Sequence, residues 1–401
     1  MPHFKRYLFC TVISTLVSSQ TLDIKTLKQL VINKNPQIVS ANKQISIQTG
    51  KLEQSKLFPN PTVEFESGKG DDPESVGMIF QPIPLGGKRK QNLRQKELQV
   101  KRAEIDFEIV KQSKVSEALK IFTNILFLQK TKSFQEELIS ISNDLLTKVD
   151  RKVKAGKLSS AERSRVKIQL YHEKLNLSST EKSIETYWNT LRSFWGNENG
   201  YLTIAEGKLE NVPEIPQNVG LENSLEIQLS NVLMEIKKVQ VQIEKAEVIP
   251  DLSLGTGMKQ NEHSGNTFQI GMSIPLPVFN RNQGNINSAI FELEQSSLNH
   301  NTIESQLYLE IRNLKAELGR LNSEIEILKE NIIPEDKGAY TIITDGYLNG
   351  RFTYLDVVDA QKMWFQSREQ YIKALKYYHT YFFELDRITG VANHTHFRKE
   401  N

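Results

Sequence analysis

Apolar residues recur at intervals of three and four along two very long stretches, about Lys88 to Ala155 and Asn282 to Asn349. In the first, Phe134, Leu138, Ile141, Leu145 and Val149 mark such a face. The spacing predicts amphipathic helices with a narrow apolar stripe, as in coiled coils. At 1.5 Å per residue, about 68 residues make a rod of about 100 Å. A rod of that length suits a coiled coil or a tube of helices rather than one globule. Pro334 falls inside the second rod and predicts a kink or break, because proline removes an amide donor. A shorter helix is expected ahead of each rod, over about Leu22 to Leu57 and Val219 to Val248, and another helix behind it.

Between short helix and rod the period changes to two. Val63 and Phe65 alternate with Glu64 and Glu66, and Val76, Met78 and Phe80 with Gly77, Ile79 and Gln81. Leu252, Leu254, Thr256 and Met258 alternate with Ser253, Gly255 and Gly257; Phe268, Ile270, Met272 and Ile274 alternate with Gln269, Gly271 and Ser273. The pattern predicts four strands in two hairpins, 62–83 and 251–276, each strand with one apolar and one polar or small face. Such strands lie either on a globular core or in a membrane β-barrel. The flanking rods favour the barrel. Unpaired backbone in lipid costs several kcal/mol per group, and about eight strands make the smallest closed barrel. Four strands therefore require several chains, and three chains would supply twelve.

The chain repeats itself. "LFPNPTVEFESG" recurs as "VIPDLSLGTG", "SVGMIFQPIPLGGKR" as "FQIGMSIPLPVFNR", and "AGKLSSAE" as "NGRFTYLD". Pro59 to Pro250, Pro82 to Pro275 and Gly156 to Gly350 are offset by 191, 193 and 194 residues. Three matches in order at one offset predict two tandem repeats, 20–206 and 219–390, joined by a Pro-rich linker, 207–218. Each runs helix, hairpin, long helix, helix.

Composition narrows the class. Of 401 residues, 25% are charged and 38% hydrophobic, with mean hydropathy −0.44. That is too polar for a helical membrane protein and suits thinly packed, solvated helices. A net charge of +3 gives no argument for nucleic acid. Lys5 and Arg6, an apolar run from Tyr7 to Val17, then Ser18 and Ser19 predict a secretory signal over 1–19. The one cysteine, Cys10, lies within it, so the mature chain has no disulfide and no thiolate metal site. The protein is expected to be exported, with residues 391–401 as a polar tail.

Both helix reversals carry the same punctuation. Gly156 and Gly350 are placed to end the incoming helix in the left-handed region. Ser159 with Glu162, and Thr353 with Asp356, form the spacing of a capping box for the outgoing helix. A tight helix–turn–helix accounts for all six residues without any further role.

"FPNPTVEFESG", "QPIPLGGKRK", "IPLPVFNRNQGNI" and the long run from "YLNGRFTYLDVVDAQ" to "FFELDRITG" resemble the TolC family of outer-membrane efflux proteins. The Pro-Asn-Pro and Pro-x-x-Leu-Gly-Gly-Lys-Arg elements are most similar to the heavy-metal branch, the CzcC-like and CusC-like channels. The resemblance covers nearly the whole mature chain. It implies a homotrimer with a twelve-stranded barrel in outer-membrane lipid, continued by an α-helical barrel across the periplasm. It further implies docking on a periplasmic membrane-fusion (adaptor) protein and, through that, on an inner-membrane RND-type pump. The channel would be a passive duct for metal cations, or alternatively for drugs or exported proteins. Many members of the metal branch are lipid-anchored; this chain departs from that, having no acylable cysteine after its signal. By resemblance, Asp356 and Asp359 stand where the family carries an acidic pair near the periplasmic entrance. Tyr347 stands where it has a gate tyrosine, and Glu162 at the matching acid of the first tip. The family's basic gate residue does not match: Arg351 is one position early and Phe352 occupies the aligned place, leaving Lys157, Arg351 or neither to close the ion pair. Gly156, Lys157, Leu158 and Ser159, with Gly350, Arg351, Phe352 and Thr353, form the tips expected to meet the adaptor, Leu158 and Phe352 as apolar contacts.

Other signals lead nowhere. "LGGKRK" lacks phosphate-loop spacing and reads as a strand-to-helix turn. His172, His263, His300 and His379 are scattered, and His394 and His396 fall in the tail. Trp188, Trp195 and Trp364 are expected to pack between helices. No catalytic constellation, metal motif or nucleotide fingerprint is present, so neither an enzyme nor a cofactor is expected. A secreted coiled-coil scaffold without a pore is the alternative of another class.

Overall fold

The computed structural model describes residues 20–68, 74–196, 202–216, 220–261 and 265–390. The signal segment 1–19, the tail with His394 and His396, and His263 lie outside them. The elements run β1 (Gln20–Leu22), α1 (Ile24–Lys34), α2 (Pro36–Ser55), β2 (Thr62–Gly68), β3 (Glu74–Ile83), α3 (Lys88–Lys154), α4 (Ser160–Arg192) and β4 (Leu202–Ala205). They continue with α5 (Leu225–Ala246), β5 (Leu252–Asn261), β6 (Gly265–Ser273), α6 (Gln283–Ile327), a π-helical turn (Leu328–Ile332), α7 (Ile333–Leu348) and α8 (Tyr354–Thr389). No described helix is long and apolar enough to cross a membrane.

The long strands form one antiparallel sheet, β2-β3-β5-β6. Its register corrects one expectation. Val63 pairs with Ile79 and Phe65 with Gly77, while Glu64 pairs with Met78 and Glu66 with Val76. Directly paired residues share a face, so Ile79 joins the apolar side, and Val76, Met78 and Phe80 lie on the polar side. The apolar side then runs through Val63, Phe65, Ile79, Leu254, Met258, Phe268, Ile270 and Met272, all exposed. Glycines make the exchange possible. A Cβ on Gly255 would lie 2.4 Å from the Phe80 ring, and one on Gly257 would lie 2.7 Å from the Met78 side chain. The two large side chains occupy the space those glycines leave.

The first helix is two, not one. Pro36 cannot donate, and buried Asn35 caps the restart through its Oδ1, which accepts from the amides of Gln37 (3.0 Å) and Ile38 (3.3 Å). Pro334 does interrupt the second rod, by way of the π-turn: the Ile333 amide bonds five residues back, to the Leu328 carbonyl. The parallel pair β1–β4 has no counterpart in the expectation, its strands of 3 and 4 residues being too short to show a period.

Three apolar clusters hold the helices. The largest joins α1, α3, α4, α6 and α8 through Leu27, Phe122, Trp188, Leu321, Tyr378 and their neighbours. A second, with Leu98, Ile105, Ile236 and Val239, locks α3 to α5. The third closes the helix tips: Leu145 and Val149 of α3, Val166 of α4, Tyr340 and Tyr347 of α7, and Tyr354, Val357 and Trp364 of α8. All three tryptophans are buried. Beside the sheet, "LGGKRK" is a strand-to-helix turn, with Gly86 and Gly87 at positive φ. Lys88, 7% exposed, bonds there to Asp251 (2.8 Å) and Glu247 (3.3 Å) of the second half.

Candidate functional site

Both reversals are built from the same bonds. After α3 the Lys157 amide bonds to the Lys152 carbonyl (2.8 Å) and the Gly156 amide to that of Val153 (3.0 Å). After α7 the Arg351 amide bonds to Gly346 (2.8 Å) and that of Gly350 to Tyr347 (3.0 Å). Each is a Schellman turn, whose left-handed residue is Gly156 (φ 69°) or Gly350 (φ 77°).

The outgoing caps differ. Thr353 and Asp356 complete a full capping box: Asp356 Oδ2 accepts from the Thr353 amide and hydroxyl, each at 2.7 Å, and Thr353 Oγ1 accepts from the Asp356 amide at 3.3 Å. Those bonds hold the Asp356 carboxyl below its usual range. At the first tip Ser159 accepts from the Glu162 amide at 3.2 Å, but Glu162 does not answer. The expected box is half formed there, because the Glu162 carboxylate turns inward, with Oε2 buried and lacking a hydrogen-bond partner.

The Glu162 charge is felt by Tyr347 of the other tip. That phenol is 5% exposed, its hydroxyl has no partner, and its pKa is pushed up to about 12, first by burial and then by the Glu162 charge. The structure thus brings together the acid of one tip and the tyrosine of the other. Asp356 and Asp359 stay apart from this pair. Asp359 is exposed, one turn along α8 from Asp356. Lys157 and Arg351 are exposed as well, and neither forms an ion pair among the described residues. Leu158 is half-buried against the tip cluster. The Phe352 ring lies over Gly346, where a Cβ would fall 2.3 Å from it, yet Phe352 keeps 41% exposure. Each tip thus presents part of an apolar side chain.

Sequence reasoning missed the cation that ties the tips. Lys152 Nζ donates to the Leu348 carbonyl at the end of α7, a favourable place for positive charge. It also missed Glu173, Tyr340 and Tyr354, buried behind the Glu162–Tyr347 pair. A signal existed. Tyr340 and Tyr347 are seven apart, and Glu173 follows Glu162 by eleven, about three turns along the same helix face.

Among the described residues no three acidic, His or Cys side chains cluster as a metal site. The tips offer a capped double turn, an inward acid–phenol pair and outward carboxylates.

Comparison with known proteins agrees with this architecture. The chain is 26% identical over 376 residues to the cobalt-zinc-cadmium resistance protein CzcC of Cupriavidus metallidurans, covering 92% of this chain and 90% of that protein. Its fold superposes on CusC, known from structures of its folding and transmembrane channel formation, with a TM-score of 0.80 at 16% identity, covering 90% of this chain and 91% of that one. It also superposes on the Campylobacter jejuni outer membrane channel CmeC (TM-score 0.78, 16% identity, 92% and 85% covered). The Vibrio cholerae outer membrane protein VceC gives a TM-score of 0.78 (16% identity, 92% and 96% covered). The sequence profile of the outer membrane efflux proteins matches residues 30–197 and 218–391, and the chain belongs to that family.

Proposed function

We propose that three copies of this chain form an outer-membrane duct. In this reading the sheets close a barrel of twelve strands, and the rods continue it into the periplasm. Cargo would be delivered by an inner-membrane RND-type pump through a periplasmic adaptor docked on the tips. The observation that carries the reading is the open sheet. Among the described residues it has two unpaired edges, on β2 and β6, and a broad exposed apolar side. Lipid tolerates neither a free edge nor a polar outer wall, and pairing β6 of one copy with β2 of the next removes every edge.

The tips are the entrance. Three copies place six carboxylates, Asp356 and Asp359, round one rim, where crowded negative charge selects for cations. Glu162 and Tyr347 hold the closed state. Metal cations are the assigned cargo, on the similarity to CzcC and on that acidic rim.

Deleting the gene and titrating growth against zinc, cobalt and cadmium, and in parallel against drugs, tests the cargo. The expected outcome is hypersensitivity to the metals. Sensitivity to drugs alone keeps the duct and replaces the cargo.

A further inference from the structure

Behind the Glu162–Tyr347 pair the tip core holds an acid with no positive charge to meet it. Glu173 of α4 is 3% exposed, and its Oε2 has no hydrogen-bond partner. Its Oε1 accepts one long bond, 3.4 Å, from Gln169. Ser142 of α3 acts on the carboxyl, lowering its pKa, and accepts from Gln361 Nε2 of α8 at 3.1 Å. The titratable groups that face it are two phenols, Tyr340 of α7 and Tyr354 of α8; burial and then the Glu173 charge raise Tyr354, and both act on Tyr340 in the same direction. No lysine or arginine acts on Glu173. Around it α3 supplies a hydroxyl, α4 and α8 amides, and α7 and α8 phenols. All four helices meet at one carboxyl, and none brings a cation.

A buried carboxylate without a cation either takes a proton or draws in water. We infer that Glu173 is a proton-linked positioning residue of the closed entrance. Protonated, it lets α3, α4, α7 and α8 pack round it; ionised, it hydrates the joint and favours the splayed arrangement. This goes beyond the rim acids, because Glu173 acts through helix packing and not on cargo, and it rests on reading the tips as the entrance.

The direction follows from linkage. Burial raises the Glu173 pKa, with Ser142 and Gln169 only partly opposing it, so the packed tip holds the proton more tightly than the loosened one. Packing is fully favoured below the ordinary carboxyl range. It weakens as pH rises from that range through the raised value, and the loss is then complete.

Hydrogen exchange of the full-length protein in detergent tests this, following peptides over 165–176 and 337–347 at pH 5 and pH 8 with intrinsic rates corrected. The wild type is expected to lose protection there several-fold at pH 8, while Glu173→Gln, which keeps the shape of the neutral acid, holds its acid level at both. An equal loss in wild type and Glu173→Gln overturns the inference. Should the variant not assemble, wild-type protection unchanged between pH 5 and pH 8 overturns it alone. Helix protection is read without any current. Absence of conductance in a bilayer would count against the duct and leave this result standing.

Discussion

At the scale of single residues, the tips separate two roles that the sequence superimposes. Asp356 is spent on capping, its carboxylate bonded to Thr353, whereas Asp359 is exposed and unbonded. The rim charge therefore depends on Asp359 at least as much as on Asp356. Replacing both by asparagine leaves an acceptor for Thr353 and removes only charge. Single-channel recording should then show weaker block by divalent cations; unchanged block would remove these residues from the gate. The turn itself is governed by backbone conformation. Gly350→Ala forces a Cβ into the left-handed region at a cost of about 1 kcal/mol, and Ser159→Ala removes the single cap bond of α4 for about the same. Faster hydrogen exchange in the first turn of the outgoing helix checks both, with no change expected at the sheet. Glycine, cap and acid were legible in the sequence because their spacing is local. The inward turn of Glu162 was not, since it depends on Tyr347, which only folding brings near.

At the scale of elements, the π-turn is a phase corrector. Buried residues of α6 follow one stripe through Leu318, Leu321 and Ile325, which the π-turn continues at Leu328. From Leu328 to Tyr340 is twelve residues, which at about 100° each leaves Tyr340 about 120° off the stripe. Absorbing one residue in the π-turn reduces the offset to about 20°, and Tyr340 and Tyr347 fall on the tip core. Pro334 fits there because the widened turn relieves the clash of its ring with the preceding carbonyl. Deleting Lys329 together with Pro334→Ala should give a regular helix in the same phase, with protection of residues 340–348 intact. Inserting one residue at the same point should expose Tyr340 and Tyr347. Equal protection in both variants would refute the phase argument. The sequence announced the break through Pro334 but not its form, since a π-turn has no residue signature of its own. Likewise the β3 alternation was legible, but its sense was not: Met78 and Phe80 look outward until Gly255, Gly257 and Gly271 are brought opposite them.

At the scale of the whole molecule, the rods and the hairpins are legible because their periods survive along the chain. The small parallel pair and the linker's seat are not. His379 looked like one of several scattered histidines. It is fully buried on α8, its Nε2 2.8 Å from the Leu209 carbonyl, and burial lowers its pKa to about 4, so at neutral pH it is an uncharged clasp beneath the linker. Among the described residues nothing closes the sheet, whose order runs β2-β3-β5-β6. The most direct test is the mass of the particle extracted from outer-membrane fractions in detergent, measured by native mass spectrometry. The account predicts three copies of the mature chain in one complex. A monomer that stays soluble and monodisperse without detergent would contradict it.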